Sequence, residues 1–326
     1  MLTLDNIYSA GNLLRGVVRK TDLVHAPSLC PGVDLYFKTE NLQTTGSFKL
    51  RGAYYKISRL TASEREQGVI ACSAGNHGQG VALAATRVGI KSVICLPANA
   101  PKSKIEATER YGGEVCLVPG VYDDTYKMAL AFREKFGYTF IHPFDDADVI
   151  AGQGTIALEL EDQLPDLDAI VVPIGGGGLI SGIAFAMKSI NPRVKIYGVE
   201  AVGAPSMLAS LRVGDITDLS SALTIADGIA VKKPGRLTFD ICMRFVDEIV
   251  TVSDDEISNA ILALMSKHKL VTEGAGAASV AAVMSGKINL KCKKVVAILS
   301  GGNIDLNILA RVIDRELKIQ NKGEIK

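Results

Sequence analysis

The heptapeptide Gly46-Ser47-Phe48-Lys49-Leu50-Arg51-Gly52 sets a lysine between an aromatic residue and flanking glycines, near the start of a predicted helix. Lys49 reads as reactive rather than merely solvated because of what accompanies it. Three further glycine-rich stretches, Ser73-Ala74-Gly75-Asn76-His77-Gly78-Gln79-Gly80, Gly175 to Gly178, and Ser300-Gly301-Gly302-Asn303, each follow an apolar run that reads as a strand and precede a helical pattern. In an open parallel sheet such turns emerge at the carboxyl ends of the strands, where ligands bind and where glycine permits close backbone approach. The four segments are therefore expected to converge on one cleft.

Gly175-Gly176-Gly177-Gly178 lies between a strand-like run and Leu179-Ile180-Ser181-Gly182. Backbone amides and a helix N-terminus there can surround a phosphate without a cationic side chain. The tetraglycine lacks the spacing of a dinucleotide fingerprint, and neither a nucleoside-triphosphate loop nor a serine-hydrolase elbow occurs in the chain. A phosphate cradle together with a separate nucleophilic lysine fits pyridoxal 5′-phosphate, whose aldehyde condenses with an amine and whose ring takes up electrons from a substrate α-carbon.

Ser47-Phe48-Lys49-x-Arg51-Gly52, Ser73-x-Gly75-Asn76-His77, the tetraglycine and Ser300-Gly301-Gly302-Asn303 resemble the motifs of fold-type II pyridoxal-phosphate enzymes. Within these the chain is most similar to catabolic threonine dehydratases, over roughly Leu13 to Arg311, including Val149 to Thr155 and Thr272 to Gly276. The resemblance implies an α/β fold of two open, twisted, mostly parallel sheets with helices on both faces, like the tryptophan synthase β chain. It implies a cofactor-binding domain of residues 1–52 and 144–326 and a small mobile domain of residues 53–143. By the same resemblance Lys49 holds the cofactor aldehyde and moves the α-proton, Phe48 packs near the ring, Asn76 bonds the ring hydroxyl, and Gly175 to Gly178 hold the phosphate. Ser73, Ala74, Gly75 and His77 surround the substrate carboxylate, and Ser300 faces the pyridine nitrogen. A neutral hydroxyl at that nitrogen withdraws less charge than a carboxylate would, which favours prompt loss of a β-hydroxyl. The implied activity is dehydration of L-threonine or L-serine to a 2-oxo acid and ammonia.

Rival readings stay open. Serine racemases resemble this chain too, but carry a serine where Ala74 stands, and an alanine has no proton to deliver. Their metal site is matched by Glu200 and the Ala204 carbonyl, yet Ser206 replaces an aspartate, so no metal is expected and Glu200 reads as a strand-end charge. Dehydratases of hydroxyaspartate, phenylserine or a hydroxyectoine-derived amino acid fit the same motifs, and a non-catalytic ligand sensor is the reading outside enzymes. Catabolic relatives respond to AMP at a subunit interface, where the resemblance implicates Thr44 and Thr45, and they form homodimers or homotetramers. The chain stops soon after the helical pattern at Asp305 to Leu317, so a regulatory domain and isoleucine feedback are not expected.

The elements that must position these residues alternate. Helical patterns at Asp5 to Leu14 (Leu13 and Leu14 on the apolar side), Tyr54 to Leu60, Val81 to Val88, Lys104 to Tyr111 and Tyr122 to Phe136 interleave with strands at 35–38, 69–72, 92–96, 114–118 and 139–141. After Pro143 and the acidic Asp145-Asp146-Ala147-Asp148, suited to a helix N-terminus, a second series has strands at 169–174, 195–200 and 295–299, with helices at 254–267 and 275–284. Alternation of this kind argues for βαβ units. The stretch from Val202 to Asp247 shows no clear pattern and, with the break at Pro143, speaks against a single barrel.

The chain has 326 residues and a formal net charge of +1, with acids and bases interspersed, which supplies no field for nucleic acid or an anionic membrane. Ala169 to Met187 carries no charge, but Pro173 and the tetraglycine interrupt it, so it reads as a buried strand, a loop and a helix. Its six cysteines have no paired metal spacing and read as reduced and buried. The N-terminus lacks the basic start and apolar core of a signal peptide, and cytoplasm is the default.

Overall fold

A computed structural model describes residues 2–323. In chain order the elements are α1 (Leu4–Leu13), β1 (Leu23–His25), β2 (Asp34–Lys38), α2 (Lys49–Ser58), α3 (Ala62–Gln67), β3 (Val69–Cys72), α4 (Asn76–Arg87), β4 (Ser92–Pro97), α5 (Lys102–Arg110), β5 (Glu114–Val118), α6 (Tyr122–Phe136), β6 (Thr139–Phe140), α7 (Ala147–Gln163), β7 (Ala169–Pro173), α8 (Gly178–Ile190), β8 (Lys195–Ala201), α9 (Ser206–Val213), α10 (Arg236–Phe245), β9 (Glu248–Val252), α11 (Asp254–Ala263), α12 (Gly274–Met284), β10 (Lys294–Ile298) and α13 (Leu306–Gly323).

The strands form two sheets, one of order β1-β2-β10-β7-β8-β9 and one of order β5-β4-β3-β6, parallel throughout except that β1 runs antiparallel to β2. The central strands are continuous apolar runs because helices cover both faces. Along β7 and β10, Val171 and Ala297 point into one core cluster with α11 and α12, whereas Ile170, Val172, Val296 and Ile298 point into another with α1, α7 and α8. The smaller sheet is packed the same way between α2 and α4 on one side and α6 on the other. The boundary expected at residue 52 falls inside α2, which spans the two sheets' cores.

Several expectations are corrected. In α1 the buried stripe is Ile7 and Ala10, continued by Leu14 at the C-cap, and Leu13 is turned out to solvent. Helices α2 and α4 begin several residues earlier than periodicity suggests, with Lys49 and Asn76 as their first residues. The unpatterned stretch after Val202 folds into α9 and α10, and β1 and β9 add edge strands with weak apolar signals. Cys292 is exposed, in a turn at φ 57°, and Cys116 is half-buried; all six cysteines are unbridged. Asp146 caps α7 as the acidic run suggests, but Asp145 instead accepts the N–H groups of Arg236, Leu237 and Thr238 at the start of α10.

Candidate active site

The loop before α2 is laced to the loop after β10. Ser47 bridges Gly301, the Phe48 N–H donates to the Ser300 carbonyl at 3.2 Å, and the Gly302 N–H donates to the Gly46 carbonyl at 2.8 Å. Gly46 has φ +73°, and a Cβ there would lie 2.4 Å from Asn303 Oδ1, so only glycine lets the two loops meet. Behind the loop, α2 rests directly on the backbone of α7: a Cβ on Gly152 would come within 2.5 Å of the Gly52 Cα. Lys49 therefore starts from a fixed base. Its Nζ sits 5.2 Å from the Phe48 ring centroid and donates to the Pro143 carbonyl at 2.8 Å. Burial pushes the amine down to about 8, against the opposing pull of the Glu273 charge. A substantial neutral fraction near physiological pH is what a nucleophilic lysine needs.

The Pro143 carbonyl also leads to the second half of the site. The next residue, Phe144, lies over the tetraglycine: a Cβ on Gly176 would be 2.3 Å from its ring, and one on Gly178 would be 2.9 Å from its Cα. Gly177 adopts φ +94° at the N-terminus of α8. Among the described residues the N–H groups of Gly175, Gly176 and Gly177 find no protein acceptor, while the Gly176 carbonyl is held by the Thr238 hydroxyl at 2.6 Å. A cradle without room for side chains, lined by unpaired amides at a helix N-terminus, fits a phosphate. Amine and cradle line a single cavity of about 1110 Å³, together with Phe48, Ser73 to His77 and Ser300. These residues fit pyridoxal 5′-phosphate.

The predicted carboxylate loop, at the carboxyl end of β3, is brought to the same cavity. His77 is committed to the Ile141 carbonyl, 2.8 Å from its Nε2, and burial followed by the nearby Lys49 charge lowers it to about 3. It is neutral at physiological pH and offers no cationic side chain to a substrate carboxylate. Glu200 and Ala204 do not line the cavity. Glu200 is no solvated strand-end charge: it is fully buried and accepts the Met207 and Leu208 N–H groups, each at 2.8 Å, at the start of α9. Burial nevertheless raises its carboxyl to about 7.

Sequence reasoning missed several cavity residues, among them Glu273, His142, Phe144 and Lys104. Glu273, at the start of α12, accepts from Asn76 Nδ2 at 2.6 Å, and burial raises its carboxyl to about 7. His142 accepts the Asp145 N–H on Nδ1 at 2.7 Å, which leaves Nε2 as the protonated nitrogen of the neutral ring. Phe144 roofs the tetraglycine, and Lys104 in α5 meets Asp227 at 2.7 Å between the two sheets' sides of the cavity. A glutamate preceding Gly-Ala-Gly, inside a motif already singled out by resemblance, was the available signal for Glu273.

The family model described as "Pyridoxal-phosphate dependent enzyme" matches residues 14–301. The chain is 51% identical over 319 residues to an L-threonine ammonia-lyase of Thermotoga maritima, covering 97% of this chain and 79% of the relative. It is 46% identical over 316 residues to a catabolic L-threonine dehydratase of Escherichia coli K12, covering 95% and 96% respectively. Among solved structures, maize serine racemase superposes with a TM-score of 0.91 at 36% identity, over 98% of this chain and 99% of that one. The motifs, the cavity that joins them and these likenesses agree: this chain belongs to the pyridoxal-phosphate-dependent enzyme family.

Proposed function

We propose that this chain is a pyridoxal-phosphate-dependent ammonia-lyase that converts L-threonine to 2-oxobutanoate, or L-serine to pyruvate, with release of ammonia. The observation that carries the reading is the desolvated Lys49 amine sharing one cavity with the amide cradle of Gly175 to Gly178. When bound, the cofactor supplies an electron sink for the bond broken at the substrate α-carbon. Lys49 would tether the cofactor aldehyde, and its amine, low enough to be partly neutral near physiological pH, would take the α-proton of the bound substrate. Amides of residues 73–77 would hold the substrate carboxylate, and Asn76, Ser300 and Phe48, which line the same cavity, would hold the cofactor ring. Phe144 and the apolar lining keep water from the reacting atoms.

Residues 53–143 act in this reading as a mobile unit over the cavity, with the Lys104–Asp227 pair as its closing contact. Assembly as a homodimer or homotetramer, cytoplasmic location and a response to AMP near Thr44 and Thr45 belong to the same reading. No helix among the described residues is long and apolar enough to cross a membrane. The likeness to maize serine racemase favours racemisation as a second activity, and Ala74 weighs against it, because a methyl group delivers no proton to the face opposite Lys49.

The test is to incubate the holoenzyme with L-threonine, L-serine, 3-hydroxyaspartate and phenylserine and to follow 2-oxo acid formation. L-threonine and L-serine should be turned over, and α-proton exchange of D-serine in deuterated water should be slow. A yellow, cofactor-loaded protein that yields no 2-oxo acid from either would overturn the assignment.

A further inference from the structure

Asn76 is held at both ends. Asn303 Nδ2 donates to the Thr45 carbonyl at 2.8 Å and to Asn76 Oδ1 at 2.7 Å, and Asn76 Nδ2 donates to Glu273 Oε1 at 2.6 Å. A backbone carbonyl can only accept, so Thr45 sets the polarity of the whole chain: Asn303 must turn its NH₂ inward, Asn76 must present its oxygen to it, and Asn76's NH₂ must then face Glu273. A carboxylate at the far end agrees with that polarity. Asn76 Nδ2 carries a second N–H with no protein acceptor among the described residues, and Asn76 lines the cavity.

The chain's far end is itself anchored. The Glu273 N–H donates to the Gly301 carbonyl at 3.1 Å, and Gly301 follows Ser300 in the loop laced to the Lys49 segment. A Cβ on Gly301 would come within 2.5 Å of Glu273 Oε1, and one on Gly228 within 3.3 Å, so the two glycines leave the carboxyl its place. The charged groups that act on it are Asp227, which disfavours its ionised form, and Lys104 and Lys49, which favour it. Lys104 and Asp227 pair with each other, which leaves Lys49 as the unpaired charge opposite.

We propose that Glu273 is a positioning residue that fixes the Asn76 carboxamide with one N–H turned into the cavity, through a hydrogen-bonded chain running from the Thr45 carbonyl. The ligand group this N–H addresses is an anionic or phenolic oxygen, as on the ring of the cofactor. Without the carboxyl, Asn303 still holds Asn76 Oδ1, but nothing fixes the far side of the carboxamide, which can turn about that contact so that its second N–H is no longer aimed into the cavity. The proposal rests on the cofactor reading above and adds to it a residue that does not touch the reacting atoms. Glu273→Gln keeps an acceptor for Asn76 and removes the charge; Glu273→Ala removes both.

The experiment compares the parent, E273Q, E273A, N76A and the E273A/N76A double variant. Visible absorbance of the bound cofactor is recorded against pH, cofactor Kd is titrated into the cofactor-free proteins, and kcat is measured, with thermal unfolding as the control for folding. E273A is expected to shift the visible band, weaken the cofactor and lower kcat roughly tenfold, and N76A to do the same. The double variant should be no worse than the worse single one within about threefold, because the residues act as one unit. E273Q should recover most of the kcat that E273A loses while altering the pH profile of the band. Losses that multiply in the double variant, or a band that E273A and N76A leave unmoved at every pH, overturn this proposal alone. A parent without any visible band overturns the cofactor reading and this proposal with it.

Discussion

Lys49 and Arg51 stand two residues apart in α2, both withdrawn from water, and the molecule treats them oppositely. Arg51 is enclosed by acceptors: Glu40 at 2.7 and 2.8 Å, Glu159 at 2.6 and 3.0 Å, and the Thr155 hydroxyl at 3.2 Å. Lys38 joins the same network through Glu159 at 2.5 Å, so Lys38, Arg51, Glu40 and Glu159 cancel in charge. Burial alone would raise the Glu40 carboxyl, but Arg51 beside it holds it below the usual range. On the cavity side the amine of Lys49 has a single carbonyl for a partner. Glu273, the carboxyl that acts on it, accepts from Asn76 instead, and rises where Glu40 falls. Burial has the same sign in both places; what differs is whether the opposing charge is within hydrogen-bond reach. Pairing makes a buried charge structural, and withholding the partner makes it reactive.

The largest expected effect is a crossed one. Lys49→Ala should lower 2-oxo acid formation by about 10⁴-fold or more, ~5 kcal/mol in activation free energy, and leave unfolding unchanged or more costly because a buried cation is gone. Arg51→Ala strands the buried Glu40 carboxylate and leaves the partly buried Glu159 with Lys38 alone, and should destabilise the fold by about 3–5 kcal/mol, with activity lost only as folded protein is lost. Steady-state rates and urea unfolding on both variants decide. A Lys49→Ala protein that unfolds as readily as Arg51→Ala would dissolve the distinction.

The two carboxyls sharpen it through pH. Glu40, held low in the fold, contributes stability that is present above its unfolded value of 4.5 and is lost as pH falls through its depressed folded value. Glu273 runs the other way, since its folded value is about 7 against 4.5 unfolded. Below 4.5 both states hold the proton and nothing is lost; as pH rises to about 7 the unfolded state releases it first and stability falls. The penalty is complete above that window and amounts to about 3 kcal/mol in the cofactor-free protein. Unfolding of apo E273Q between about pH 5 and pH 7 should therefore be flatter than that of the parent, with Glu40→Gln showing its deficit instead at neutral pH. Parallel curves for parent and E273Q would break the contrast.

The same division separates what the sequence shows from what it hides. Lys49, the tetraglycine, residues 73–77 and Ser300 are legible because each sits in a short local motif at the end of a strand, and the parallel sheet alone brings such ends together. The Arg51 network and Glu273 are not, because their partners lie far away in sequence, 108 residues from Arg51 to Glu159 and 197 from Asn76 to Glu273. The α/β alternation is legible where strands are buried on both faces. It fails at β9, an edge strand with a mostly half-covered pattern, and at α10, a short helix of ten residues whose buried stripe includes Thr238 and whose other face carries Asp240 and Arg244. Leu13 and Leu14 differ by one position, a rotation of about 100° around the helix, which adjacency in an apolar pair cannot resolve.

Two glycines, one on each side of α2, give the smallest and most discriminating test. A Cβ on Gly152 would meet the Gly52 Cα at 2.5 Å and the Arg51 carbonyl oxygen at 2.6 Å, all backbone, with no flexible group to yield. Gly152→Ala must push α7 from α2 and should cost about 1–3 kcal/mol in urea unfolding. A Cβ on Gly301 would meet the Glu273 carboxyl at 2.5 Å and Asn76 Nδ2 at 3.1 Å, the ends of two side chains that can swing aside. Gly301→Ala should therefore cost about 1 kcal/mol or less in stability. It should still displace the Glu273 carboxyl and with it the Asn76 amide, shifting the visible band of the bound cofactor in a protein that unfolds almost like the parent. If Gly301→Ala moved unfolding as far as Gly152→Ala and left the band in place, the cavity side would be as structural as the network side, and the division drawn between Lys49 and Arg51 would fail at its nearest neighbours.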